Sequence, residues 1–279
     1  MKNPKIIYVL ISLFCIFAII AGIYAQFIDA DYGGINVSKE EEFNTIQNKS
    51  NEEIEAQFNN LFTNTLNLGN YDTTGIQKIN QEENIVYSIY DKTEQTENYE
   101  INIHIPVINI NSELSNSLNQ ITQANFVNKA NEIMTRENSL TKTIYSIDYT
   151  AYVNNDVLSL VIKSTLKEGD SPQRVIIITY NYNLNTDTQA SLIDLITIKE
   201  LNRDEVNTKI KQVCSEANEE AIALQNMGYN SIFVRDMESE IYNVDNASAY
   251  FLGPNKELYI IYAYGNNEFT SEMDVILFE

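Results

Sequence analysis

The sequence predicts an α+β protein, in which an N-terminal transmembrane helix is followed by antiparallel sheets with packed helices in two adjoining subdomains. Three observations lead to this prediction. An apolar run covers residues 6–25. Several later segments alternate apolar and polar residues as half-buried strands do, and others repeat apolar residues every three or four positions as amphipathic helices do. Hairpins interspersed with helices are typical of the α+β class.

The N-terminal segment has the length and charge of a membrane anchor. About 20 apolar residues let an α-helix cross the hydrocarbon core, and residues 6–25 form such a run behind Lys2 and Lys5. These lysines favour a cytoplasmic N-terminus. A cleaved signal peptide is the alternative, but Ile23 stands where a cleavage site needs a small residue. We therefore predict a single-pass protein of the cell membrane, with residues 1–27 as a signal-anchor and the C-terminal domain outside the cytoplasm.

The chain after the anchor is strongly acidic. The whole sequence has 18 basic and 39 acidic residues, and only Lys2 and Lys5 precede Asp29, so the remainder carries 16 basic and 39 acidic residues and a formal charge of −23. Such a surface repels nucleic acid and attracts cationic partners, although it also simply keeps a protein soluble. Cys214 is the only cysteine in this part, so we expect it to be a small buried side chain without an intrachain disulfide partner.

Residues 28–75 have the composition of a polar stalk followed by a helix. The helix is expected to end near Gly69, and its apolar face would consist of Ile54, Phe58, Leu61, Phe62 and Leu66. A helix of this length is marginal without packing. We therefore expect this face to dock on its own domain, with another chain as the alternative.

A hairpin, a long helix and a meander are predicted next. The hairpin joins residues 85–90 to residues 99–110, whose inward face begins with Tyr99 and Ile101. The helix covers residues 112–135 and must bend or bury two faces, because its apolar residues drift round it. The strands of the antiparallel meander are residues 143–153, 157–167 and 173–184.

The C-terminal part is predicted to contain a capped helix and three further strands. Asn202 is a good N-cap residue, and Leu201 and Val206 are spaced as a hydrophobic staple. The strands cover residues 248–252, 258–264 and 271–278.

Short motifs within residues 76–279 carry a family resemblance. They are the strand 178–184 with the turn 192–195, the stretches 257–265 and 269–272, and Pro106-Val107-Ile108 ahead of a long helix. Together they resemble the PdaC/RsiV-type extracytoplasmic domain family. The resemblance implies two α+β subdomains, a PdaC-type one at residues 76–170 and an RsiV-C-terminal-type one at residues 171–279.

The resemblance also implies a role at the cell envelope. Domains of this family stand beside a peptidoglycan deacetylase domain or form the exterior of an anti-sigma factor that recognises lysozyme. We predict a membrane-anchored binding or sensing module, not an enzyme, that recognises a cell-wall glycan or a cationic protein such as lysozyme. The alternatives are an accessory or enzyme of peptidoglycan modification and a structural envelope protein that self-associates.

No group of side chains in the sequence indicates a catalytic, metal or cofactor site. His104 is the only histidine, and it lies out of phase with Ile103 and Ile105, so we expect it on the wet face of its strand. A zinc site or a catalytic triad would need partners that no sequence pattern supplies.

Acidic and aromatic patterns have simpler interpretations. A faint calcium-loop pattern in Asn183, Asn185, Asp187 and Asp194 lacks the central glycine and the bidentate glutamate, so a turn is expected. Asp236, Glu238 and Glu240 would share one face if their segment were extended. Two of them could then act as the paired carboxylates of a glycosidase, but only within a cleft. Sugar stacking is an alternative to core packing for the tyrosine pairs Tyr180 with Tyr182 and Tyr262 with Tyr264.

Overall fold

A computed structural model of the chain describes residues 49–136, 141–229, 232–263 and 273–279. Its helices are α1 (Asn51–Asn59), α2 (Glu113–Thr122), α3 (Asn128–Thr135), α4 (Leu192–Ile198) and α5 (Arg203–Asn226). Its strands are β1 (Thr65–Asn67), β2 (Val86–Gln95), β3 (Tyr99–Ile108), β4 (Thr143–Asn154), β5 (Val157–Glu168), β6 (Arg174–Asn183), β7 (Thr188–Gln189), β8 (Ala249–Leu252), β9 (Leu258–Ala263) and β10 (Met273–Phe278). The mixed α+β class is as predicted.

The predicted anchor at residues 6–25, with Lys2 and Lys5, lies outside the described residues and stays a prediction. Among the residues that the structure describes, no helix has both the length and the apolar composition needed to cross a membrane. The proposed subdomain boundary at residue 170 also stays a prediction, and it falls in the turn between the paired strands β5 and β6.

The larger sheet has the strand order β2-β3-β4-β5-β6-β7, with β1 also beside β4. The predicted antiparallel meander of β4, β5 and β6 is confirmed. The expectation of purely antiparallel sheets is wrong, however, because β3 and β1 both pair with β4 in parallel. The connection from β3 to β4 contains α2 and α3, and such a helical crossover returns the chain to the same end of the sheet.

A π-helical turn joins α2 to α3 and explains the drifting apolar pattern. The turn covers Gln123–Val127. It adds one residue to the helix and so rotates the following residues back by about 100°. Leu118, Phe126 and Ile133 consequently all become buried against the larger sheet. The π turn therefore keeps these apolar residues on one buried face, where a bend or a second buried face was predicted.

The smaller sheet has the order β10-β9-β8 and lies between two cores. One of its faces packs against α4 and α5, and the other packs against the larger sheet. Asn202 caps α5 as predicted, by accepting hydrogen bonds from the backbone nitrogens of Asp204 and Glu205. Cys214 is completely buried on α5, which confirms its expected role as a small core side chain.

Helix α1 docks on its own domain, as expected. Ile54 and Phe58 are buried in the core between the two sheets. The helix ends at Asn59, so the expected helix to Gly69 is wrong. Leu66 belongs instead to β1, which pairs with Thr150–Tyr152 of β4.

Side chains of the larger sheet satisfy the backbone of β8 along the edge that faces away from β9. Asn181 donates to the carbonyl of Tyr250 at 2.8 Å, and its Oδ1 accepts from the hydroxyl of Ser159 at 2.7 Å. Ser159 Oγ in turn accepts from the nitrogen of Leu252 at 3.2 Å. Both Ser159 and Asn181 are buried. Polar side chains thus replace a neighbouring strand and join the two sheets.

Replacing Asn181 with leucine is expected to lower the free energy of unfolding by about 2–3 kcal/mol, because the half-buried carbonyl of Tyr250 and the buried hydroxyl of Ser159 both lose their partner. Urea unfolding of the full chain in detergent, followed by circular dichroism, would measure the change. Asn185 is exposed in the turn after β6, so Asn185→Leu is the matched control. Equal effects of the two variants would contradict a joining role for Asn181.

Candidate functional site

A cleft of about 470 Å³ opens where three separate turns meet. The first wall follows β1, the second is the turn between β4 and β5, and the third is the turn between β8 and β9. The cleft therefore involves both sheets. Its lining consists of Asn67, Leu68, Gly69, Asn70, Tyr71, Tyr152, Val153, Asn154, Asn155, Pro254, Asn255 and Lys256.

Hydrogen bonds between the second and third walls hold the cleft in shape. Asn154 donates from Nδ2 to the carbonyl of Gly253 at 2.9 Å, and Lys256 Nζ donates to Asn155 Oδ1 at 3.1 Å. Asn155 and Lys256 both have positive φ, at 51° and 65°. Asparagine tolerates this conformation, whereas lysine adopts it at a cost.

The first wall is held by its own turn. Asn67 Oδ1 accepts from the backbone nitrogen of Gly69 at 2.9 Å. Gly69 has a φ of 57°, a left-handed conformation that glycine adopts without a steric penalty. The turn thereby brings Asn70 and Tyr71 to the cleft.

The lining combines amide groups with aromatic rings. Each asparagine side chain offers two donors and one acceptor oxygen, and five asparagines line the cleft. Tyr71 and Tyr152 add aromatic rings with polar hydroxyls. A concave site with apolar faces and a few well-placed polar groups is the usual form of a small-molecule site. This set of groups matches a ligand that has many hydroxyls or amides on a rigid ring.

Carboxylates close to the cleft influence both tyrosines. Burial raises the pKa of Tyr71, and the charges of Asp156 and Asp72 raise it further. Burial likewise raises the pKa of Tyr152, with a further contribution from Glu257. Both phenols therefore stay neutral around pH 7 and can donate hydrogen bonds.

His104 has a carboxylate partner that the sequence did not reveal. It lies on the predicted polar face, with a side chain that is 27% exposed, and its Nδ1 is 2.7 Å from Asp91 Oδ1. Ser88 donates to the same oxygen at 2.6 Å. The serine thus contacts the aspartate instead of the imidazole, so this group lacks the order of a Ser-His-Asp nucleophile.

The calcium-like pattern contains the expected turn, but Asp194 lies in a helix cap that was not predicted. Asp194 and Ser191 form a capping box at the start of α4, and Asp187 accepts a hydrogen bond from the hydroxyl of Tyr182. Among the described residues, no cluster of three histidine, cysteine or acidic side chains suits a metal ion.

The remaining predicted groups do not form a site. Asp236, Glu238 and Glu240 are exposed in an irregular turn and are not extended, so they do not share a strand face. Tyr180, Tyr182 and Tyr262 are buried, which confirms core packing for these three. Tyr264 lies outside the described residues.

No family model and no curated protein sequence matches the chain. Solved structures similar to it include a DUF3298 family protein from Pseudomonas aeruginosa PAO1, which is 13% identical, with 71% of this chain and 88% of that chain covered and a TM-score of 0.36. A member of the DUF3298 family from Bacteroides fragilis NCTC 9343 is 12% identical, with 70% and 88% covered and a TM-score of 0.35. Both of these similar structures are of DUF3298 proteins, which belong to a family of unknown function.

Proposed function

We propose that the protein is a non-enzymatic binding module of the cell envelope that holds a cell-wall glycan in the cleft between its three turns. The observation that carries the proposal is the lining of asparagine amides and tyrosine rings. Sugars present hydroxyls and amides for such donors and acceptors, and their C–H faces pack on aromatic rings. The PdaC/RsiV-type resemblance and the predicted anchor at residues 6–25 support a location outside the cytoplasm.

The cleft is better suited to this role than the other polar groups are. It is concave, it is built from turns, and its walls are fixed by hydrogen bonds before any ligand arrives. A preformed site loses less conformational freedom on binding than a mobile one does. Ligand sites also occur preferentially on loops that a rigid scaffold positions.

Replacing Tyr71 with alanine is expected to weaken the binding of purified peptidoglycan fragments on the order of tenfold, because a stacking surface is lost. Isothermal calorimetry on the full chain in detergent would measure the dissociation constant. Tyr90 is a 40% exposed tyrosine on β2, away from the cleft, so Tyr90→Ala is the matched control and should bind as the unaltered protein does.

Lysozyme provides the competing arm of this experiment, because the acidic surface favours a cationic protein. Binding of lysozyme that is unaffected by Tyr71→Ala, together with no binding of fragments, would overturn the glycan proposal. Turnover of the fragments by the purified chain would instead favour an enzyme of peptidoglycan modification. A mass that rises with concentration would favour the self-associating alternative.

A further inference from the structure

We propose that the cleft prefers a glycan bearing a protonated amine over the corresponding acylated glycan. This inference rests on the proposed function and adds the chemical class of the ligand. Its basis is the balance of charge around the two tyrosines. Among the described lining residues, Lys256 is the only charged side chain, whereas the carboxylates of Asp72, Asp156 and Glu257 stand next in sequence to lining residues.

Hydrogen bonds hold two of these carboxylates, those of Asp72 and Glu257, in the turns that carry lining residues. Asp72 accepts from the nitrogen and the hydroxyl of Thr74 at 2.9 and 3.0 Å, and these bonds lower its pKa. Glu257 is 9% exposed and accepts from the nitrogen and the side-chain amide of Asn255 at 2.7 and 3.0 Å. After burial, the charges of Asp156 and Asp72 are further causes of the raised pKa of Tyr71, and the charge of Glu257 is a further cause of the raised pKa of Tyr152.

The single lysine does not reverse this balance. Its ammonium group donates to Asn155 Oδ1 at 3.1 Å, and in the sequence it is followed directly by Glu257. Three carboxylates against one ammonium group leave the region negative. An aromatic face also attracts a cation through its quadrupole. A ligand amine placed over Tyr71, which is half-buried, would therefore gain from the ring and from the carboxylates together, whereas an acylated nitrogen gains only hydrogen bonds.

The test compares two oligosaccharides of equal length, one of glucosamine and one of N-acetylglucosamine, by calorimetry on the full chain in detergent. We expect the amine form to bind about tenfold more tightly at low salt, and this preference to shrink at high salt because screening weakens charge interactions. A short lysine-containing peptide serves as a third probe. It would show whether a peptide amine is an equally good source of the charge.

Asp156→Asn is expected to reduce the preference for the amine about three- to tenfold. The backbone carbonyl of Asp156, not its side chain, accepts from the nitrogen of Leu184, so the turn keeps that bond in the variant. Asp170 is exposed in the turn at the opposite end of β5, which makes Asp170→Asn the matched control. Lys256→Gln should increase the affinity for the amine form, because it removes a like charge.

The outcomes separate this inference from the proposed function. Equal or tighter binding of the acylated saccharide, or an Asp156→Asn variant that keeps the full preference, would overturn the amine inference alone. If neither saccharide binds, the inference fails, and the proposed function fails with it only if purified peptidoglycan fragments do not bind either. Tighter binding of the peptide than of the glucosamine saccharide would also overturn it.

Discussion

Replacing Asp274 with asparagine is expected to lower the free energy of unfolding by about 3–5 kcal/mol, because it removes the negative charge that Asp274 supplies to a buried guanidinium group. Asp274 on β10 accepts from Arg235 Nε at 2.9 and 3.0 Å and from Nη2 at 2.6 Å. The two side chains are only 8% and 6% exposed. Urea unfolding of the full chain in detergent, monitored by circular dichroism, would give the change.

Two further variants show whether burial is the cause. Arg203 and Asp245 form an ion pair whose side chains are 53% and 65% exposed, so Asp245→Asn should cost less than about 1 kcal/mol. Replacing Arg235 with methionine and Asp274 with leucine together should recover much of the stability, since neither charge of this pair is then left buried. A loss for Asp274→Asn no larger than that for Asp245→Asn would contradict this account.

The buried ion pair of Arg235 and Asp274 also shows what the sequence alone does not reveal. Arg235 lies in an irregular segment and Asp274 in a predicted strand, and nothing in the sequence of either segment indicates the partner. The pair forms because Asn218 Oδ1 accepts from the nitrogen of Arg235 at 2.7 Å and fixes this segment beside α5. Such contacts depend on the tertiary packing of α5 against the smaller sheet.

Local periodicity predicted most of the strands and helices correctly. Leu158, Leu160 and Ile162 alternate with residues on the other face, and β5 pairs along its whole length as the pattern indicates. The same periodicity carries no information about which strand lies beside which. The parallel pairing of β3 with β4 follows from the helical crossover, and β1 occupies the part of the β4 edge beyond Ile147, where β3 no longer pairs.

The sequence did not predict the cleft, but it did predict two of the turns that line it. Asn154, Asn155 and Asp156 were expected as a turn, and so were residues 253–256, because asparagine, glycine and proline favour turns. That these turns meet each other and the wall at Asn70 depends on how the two sheets pack, which no local pattern encodes. The repeated asparagines at all three turns are the sequence signal that could have indicated the site.

Raising the pH from 10 to 12 is expected to unfold the domain cooperatively. Burial raises the pKa of Tyr145 and of Tyr182 from 10.0 to about 12. Because the pKa of these phenols is higher in the folded than in the unfolded protein, the neutral phenols contribute their full stabilisation below the ordinary pKa. This contribution is lost as the pH rises through the pKa of the folded protein. A difference of two units on one tyrosine is worth about 2.7 kcal/mol. Burial also raises the pKa of Tyr149, Tyr180, Tyr250, Tyr259 and Tyr262.

Together these tyrosines can outweigh the roughly 5–15 kcal/mol that holds a typical domain folded. The chain already has a formal charge of −21, so each tyrosinate also adds to the repulsion. Tyrosinate absorbance and circular dichroism should therefore change in one shared step. Tyr145→Phe should move that step to higher pH, whereas the same change at Tyr229, which is 59% exposed, should leave it in place. Full ionisation near pH 10 with the circular dichroism intact would show that the buried phenols have ordinary pKa values, because the fold would then have survived their charging.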